Sequence, residues 1–205
     1  MDNIPILMEP PQLLALAAAL GWASGLRLYA AVFLTGIAGA VGWVPLPTGL
    51  QILEHPAMLA ASGFMLFVEF FADKIPGVDT LWDMVHTVVR IPAGAALAAG
   101  VFGADQATWA TAAALLGGTL AATSHVAKAT TRAAVNTSPE PFSNVAMSLL
   151  GDGAVPVALW LSWAHPEAFF AVLAIALVVM VALIWVLAKF LKQLIRRVSA
   201  PRQQA

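Results

Sequence analysis

"QLLALAAALGWASGLRLYAAVFLTGIAGAVGWV", residues 12–44, decides the class of this protein, because a single charged group, Arg27, interrupts roughly 33 residues of otherwise uncharged chain. A straight helix of that length would run ~50 Å at ~1.5 Å per residue, against a bilayer hydrocarbon core of ~30 Å. Such a segment must tilt, protrude or break. Gly21 and Gly25 mark its weak point, with Arg27 just beyond, and "PLP" at 45–47 ends it.

The rest of the chain extends the same reading. It has 205 residues, 60% of them hydrophobic and only 10% charged, and a mean hydropathy of +0.85. A soluble globule of this size has too little interior to hide so much apolar surface. Net charge is −1, so there is no bulk electrostatic case for a nucleic-acid partner. With no cysteine, disulfides, thiolate zinc sites and cysteine nucleophiles are excluded. "MDNIPILMEPP" lacks a positive n-region, so the first apolar segment is read as retained.

Five further candidate spans follow, at about 56–73, 80–103, 106–136, 141–163 and 166–187. Pro92 interrupts the third segment of the chain; Gly151, Gly153 and Pro156 weaken the fifth. The expected fold class is therefore all-α integral membrane, with about six transmembrane helices, some kinked or broken at Pro or Gly. One polytopic domain covers 1–188, and a basic tail covers 189–205. Lys189, Lys192, Arg196, Arg197 and Arg202 assign the C-terminus to the cytoplasm. Six crossings would return the N-terminus to the same side. Trp43, Trp109 and Trp163 fall near the opposite ends, as an interfacial belt would.

The scarce charge is gathered in "EFFADKIPGVDTLWDMVHTVVR", 69–90, and "HVAKATTRAAVNTSPEPFSN", 125–144. Asp79, Asp83, His86 and Arg90 are spaced 4, 3 and 4; His125, Lys128, Arg132 and Asn136 are spaced 3, 4 and 4; Asn144, Ser148 and Asp152 are spaced 4 and 4. Each set forms one helix face, as do Glu69 and Asp73. A charge facing lipid costs ~2.5–3.5 kcal/mol or more at the bilayer centre, so the stripes should face one another. Laying 56–103 against 106–163 suggests two parallel helix–turn–helix repeats, with Asp79 on Glu140, Asp83 on Asn144 and Pro92 near Pro156. On that alignment Glu69 would pair with Arg132, and Arg90 with Asp152.

Together the two blocks resemble the bacterial membrane family DUF4126, a domain of unknown function. The resemblance rests on Asp73, Lys74, Pro76, Asp79, Trp82, Asp83, His86 and Arg90, then on Lys128, Arg132, Ser138, Pro139, Glu140, Pro141, Ser143 and Asn144, with "SGLRLYA" at 24–30 also similar. The chain departs at Gly151, where the resemblance would place an acid beside Asp152. It implies a multi-spanning protein of the bacterial inner membrane and no established activity.

The favoured functional reading is a cytoplasm-facing cavity that binds or passes a small polar or ionic solute. It would be lined by Glu69, Asp73, Asp79, Asp83, His86, Arg90, His125, Lys128, Arg132, Glu140, Asn144, Ser148 and Asp152. Mixed charge suggests a zwitterion or an ion moved with protons, and His86 and His125 can relay protons near neutral pH. Pro92 and Pro156 would open backbone carbonyls beside the stripes. The bland alternative is an internal ion-pair network that fixes helix packing, each histidine then bonded to a carboxylate. A third reading, a membrane metalloenzyme, would use Asp83 and His86 with Glu69, Asp73 and His125, but Lys128 and Arg132 crowd such a site and the paired Glu-x-x-His pattern is missing. No nucleophile motif surrounds Ser24, Ser124 or Ser138. The expectation is no enzyme, no metal and no cofactor; the partners are the lipid bilayer, a solute and, left open, a second copy of the chain.

Overall fold

The computed structural model describes residues 8–75, 77–137 and 142–199, the last with side chains through Arg196. Six long helices account for nearly all of it: α1 Pro10–Ala40, α2 Pro56–Ala72, α3 Val78–Phe102, α4 Ala107–Val135, α5 Phe142–Ala164 and α6 Pro166–Ser199. A 3-10 segment, Thr48–Glu54, precedes α2. The described residues contain no strand. Prolines begin α1, α2 and α6, where a missing N–H loses nothing. The side chain of His55 caps α2, accepting from the Ala57 N–H at 3.2 Å.

By length and composition four helices can cross a membrane: α1, α3, α5 and α6. The 3-10 segment and α2, bent by 69°, form a fifth candidate. α4 is 29 residues long but rich in Ala, Thr and Gly, and it is not among them.

Of the three ways in which so long a segment could fit, α1 takes the break, at Arg27 just beyond the expected weak point. Arg27 has φ −146° and ψ 80°, a single non-helical residue between two helical arms. Along the first arm Gln12 donates to the Trp163 carbonyl at the far end of α5. Lower down, Gly21 lies against Gly117 and Gly25 against Ala121, and Lys128 donates to the Leu26 carbonyl. Beyond the break the contacts climb back: Tyr29 meets His86, Gly63 meets Phe33, and Gly36 meets Leu53. Both ends of α1 therefore lie at the end of the bundle where α2 begins and α5 ends. Arg27 is the tip of a re-entrant hairpin, aimed at the α2–α3 and α4–α5 turns.

By length and composition four or five candidate spans stand where about six were expected. The N-terminal end of α1 sits opposite the C-terminal end of α6. The physical reason is Arg27, whose charge must be met by acids near those two turns; the chain descends to them and then returns. The expected breaks at Pro92 and Pro156 do not occur, since α3 and α5 run through both as single helices. A proline removes one donor, and the rest of the hydrogen-bond ladder carries the helix past it.

α1 is apolar on all sides, and it is buried on nearly all sides by the other five helices. Small residues permit this. A Cβ at Gly25 would overlap the Ala121 carbonyl and the Ser124 hydroxyl, and one at Gly21 would overlap the Gly117 backbone. Gly77, with φ +90°, makes the turn into α3 that brings Asp79 back under α2.

Candidate functional site

Arg27 is the node from which the charged cluster is built. Its Nη1 lies 2.6 Å from Asp73 Oδ2, and its Nη2 lies 2.8 Å from Asp152 Oδ1. Nη2 also donates to the Ser148 hydroxyl at 2.8 Å and the Ser148 carbonyl at 3.1 Å. The tip of α1 thus ties the end of α2 to the middle of α5. Lys74 reinforces that tie, 3.0 Å from Asp152 and 3.1 Å above the Phe70 ring.

Asp73 is shared by three bases, as is Asp83. Besides Arg27, Asp73 receives Lys128 at 2.9 Å and Arg132 at 2.8 Å. Lys128 bridges on to Asp83 at 3.1 Å and to the Leu26 carbonyl at 3.0 Å. That carbonyl adjoins the non-helical residue, and the lysine supplies it with a donor there. Arg132 reaches Asp83 at 3.3 Å and lies 4.0 Å from Asp79. Asp79 accepts from the Gly77 and Thr80 N–H groups at 2.8 and 2.6 Å, which closes the α2–α3 turn.

Arg90 makes a deeper node, fully buried, with Glu69 at 2.7 Å and Asp83 at 2.6 Å. In all, five acids (Glu69, Asp73, Asp79, Asp83, Asp152) meet five bases (Arg27, Lys74, Arg90, Lys128, Arg132) among the described residues. The charges balance, as a low-dielectric interior requires.

The histidines sit against hydroxyls and a carbonyl, with no ion pair to a carboxylate. Arg90 approaches His125 Nδ1 at 3.4 Å and can only donate, so Nδ1 accepts and Nε2–H donates to Thr87 Oγ1 at 2.7 Å. Thr87 in turn donates to the Asp83 carbonyl at 2.9 Å. His86 Nδ1–H donates to the Trp82 carbonyl at 2.8 Å, and Nε2 accepts from Tyr29 at 3.2 Å. Each ring is held at both of its nitrogens. That arrangement orients helices, and among the described residues no chain of hydrogen bonds joins the two rings.

Beside the Arg27 tip is a half-open cavity of about 180 Å³ between α1, α4, α5 and α6. Arg27, Asp73, Lys128, Arg132 and Ser148 reach it from the cluster. Its remaining wall is mostly apolar, including Trp22, Leu26, Met147 and Met180.

Residues 14–188 match the family described as a domain of unknown function, DUF4126. The chain belongs to that family. No curated protein and no solved structure matches it. Both sequence blocks that resemble DUF4126 fall inside the matched region and supply the α2–α3 and α4–α5 sides of the cluster.

Within this DUF4126 chain most of the expected site residues do converge. Glu69, Asp73, Asp79, Asp83, Arg90, Lys128, Arg132, Ser148 and Asp152 join one network, and His125 and His86 flank it. Asn144 is buried one turn below Ser148, and neither of its amide atoms has a hydrogen-bond partner. Glu140 lies outside the described residues. The expected pairs are wrong: Glu69 pairs with Arg90, and Asp152 with Arg27 and Lys74. Arg90 lies three turns into α3, level with Glu69, whereas Arg132 is level with Asp73. The α1 tip then stands between the two units and takes Asp152. Among the described residues no three His, Asp or Glu side chains gather as metal ligands would.

Sequence reasoning undervalued Arg27 and gave Tyr29 no role. The available signal was an arginine placed just after two glycines in an over-long apolar segment.

Proposed function

We propose that the protein is an integral membrane protein of the bacterial inner membrane that binds a small polar or ionic solute in the cavity beside Arg27. The observation that carries this reading is the half-open cavity itself, where charged side chains of α4 and of the α2 end meet the α1 tip. Broken helices at membrane depth are tolerated where protein or a water-filled cavity covers them, and transporters bind their cargo at such breaks. Lys74, Lys128 and Arg132 cluster at the same end as Lys189 and Lys192, which favours a cytoplasmic position for that end. Two related helix–turn–helix units, α2–α3 and α4–α5, belong to the same reading.

A cysteine-free chain makes the test direct. Thr131 lines the cavity and bonds only to the Ala127 carbonyl of its own helix. Thr131→Cys should react with a membrane-impermeant methanethiosulfonate from the cytoplasmic side alone. A folded protein unreactive from either side would mean a dry cavity and would remove this reading.

The balanced network supports a second reading, a membrane scaffold whose ion pairs only hold the fold. Filling the cavity from α5 with Gly151→Phe, which leaves every ion pair in place, separates the two. A scaffold keeps its stability, whereas a binding site loses affinity for its solute.

A further inference from the structure

The wall of the cavity is divided by chemistry. At its inner side stand three bases, Arg27, Lys128 and Arg132, against one carboxylate, Asp73. Asp73 already serves all three. Among the described residues every ion pair of Arg132 runs through Nη1 alone, although a guanidinium carries five donors. The other carboxylate partners of these bases, Asp152 for Arg27 and Asp83 for Lys128 and Arg132, stand behind the wall. The face turned to the cavity therefore carries more donors than acceptors within a network that is balanced as a whole.

The mouth is the opposite. It is walled by Met147 and Leu150 of α5 and by Met180 and Leu183 of α6. Leu150 and Leu183 are exposed on the outer surface of the bundle. α6 packs chiefly on α4 and only lightly on α5, which leaves the cleft between α5 and α6 open sideways. The most apolar stretch of α6 is only 6% buried. A free ion entering by this side opening, as opposed to the cytoplasmic end that Thr131→Cys probes, would have to shed water against four apolar side chains before meeting a base. A headgroup carried on a hydrocarbon chain meets no such barrier.

From this division we propose that the ligand is an anionic amphiphile, best matched by a phosphate monoester on a hydrocarbon chain, that enters sideways from the bilayer between α5 and α6. This rests on the solute-binding reading above and names its ligand class. The phosphate sits against Arg27, Lys128 and Arg132, and the chain stays outside along Leu150 and Leu183. The volume agrees, since about 180 Å³ is below the ~300–1,000 Å³ that encloses a drug-sized ligand. It holds a headgroup and excludes the tail. Arginine and lysine donors suit phosphate oxygens, which accept several charge-assisted hydrogen bonds at once.

The test compares three probes on the purified full chain in a non-ionic detergent, read as the midpoint of thermal unfolding. Dioctanoyl phosphatidic acid carries both anion and chains, dioctanoylglycerol the chains alone, and inorganic phosphate the anion alone. We expect a saturable rise in midpoint with phosphatidic acid, half-complete at a concentration at least ten-fold below that needed for phosphate, and none with dioctanoylglycerol. Gly151→Phe fills the cavity from α5, where an added Cβ meets only Arg27 Nε at 3.7 Å. It should abolish the rise, and Met180→Trp, which blocks the mouth from α6, should do the same if that variant fails to fold. Equal effects of phosphate and phosphatidic acid would overturn the amphiphile and leave the solute reading standing. Equal effects of dioctanoylglycerol, or a rise that survives both cavity-filling variants, would also overturn it. No rise with any probe overturns it too, and the accessibility of Thr131→Cys then decides separately whether the solute reading survives.

Discussion

α1 and α6 are both long, apolar helices, yet the structure uses them in opposite ways. The best window of α1 has a mean hydropathy of 1.4 and is 78% buried; that of α6 reaches 3.1 and is 6% buried. α1 interleaves its seven Leu with nine Ala and four Gly, and at those small residues α3 and α4 approach its backbone. α6 is built from Leu, Val, Ile and Phe, whose bulk suits lipid. Hydropathy therefore says that both belong in a membrane protein, while side-chain size says which one sits inside it. The single charge of α1 then bends it into a hairpin, and α6, charged only near its ends, stays straight.

The largest expected effect is at the tip. Arg27→Leu would remove the one bridge between Asp73 and Asp152, leaving Asp73 to Lys128 and Arg132 and Asp152 to Lys74. Breaking a buried pair by removing one partner destabilises by up to ~3–5 kcal/mol. Chemical unfolding in detergent should show that loss, and a wild-type midpoint would contradict the role given to Arg27. Val179, exposed on α6, should respond to a new charge for the opposite reason. Val179→Arg faces lipid, and insertion should be penalised by ~2.5–3.5 kcal/mol, measurable as the inserted fraction.

Steric changes sharpen the contrast at smaller scale. Gly25→Leu must push α1 from α4, with a loss of ~1–3 kcal/mol or more in unfolding free energy. Ala174→Leu on exposed α6 should stay within ~0.5 kcal/mol of wild type, because nothing packs tightly over it. If both glycine and alanine positions tolerated leucine equally, the distinction between a packed and a lipid-facing helix would fail.

The sequence made the fold class and most of the cluster legible. Helical spacing of Asp79, Asp83, His86 and Arg90 predicts a shared face, and the expense of lipid-exposed charge predicts that such faces meet. Those inferences rest on local period and on one dominant energy, so they carry well. The pairing of charges was not legible, because Glu69 and Arg132 are chosen by depth along tilted helices, which spacing does not encode. Nor was the doubling back of α1. A 33-residue apolar segment signals that something must give, but whether it tilts or turns depends on where Asp73 and Asp152 end up. The histidines misled for a related reason: their hydroxyl partners, Tyr29 and Thr87, are ordinary residues that carry no signal until the helices are assembled.

The claim on which the site depends is that α1 turns at Arg27 and returns. Single cysteines at Glu9, Trp43 and Lys192, all exposed, test it through labelling by an impermeant thiol reagent from each side of the membrane. The account predicts that Glu9→Cys and Trp43→Cys label from one side and Lys192→Cys from the other. Labelling of Glu9→Cys from the same side as Lys192→Cys would mean that α1 crosses directly, and Arg27 would no longer be the tip of a hairpin.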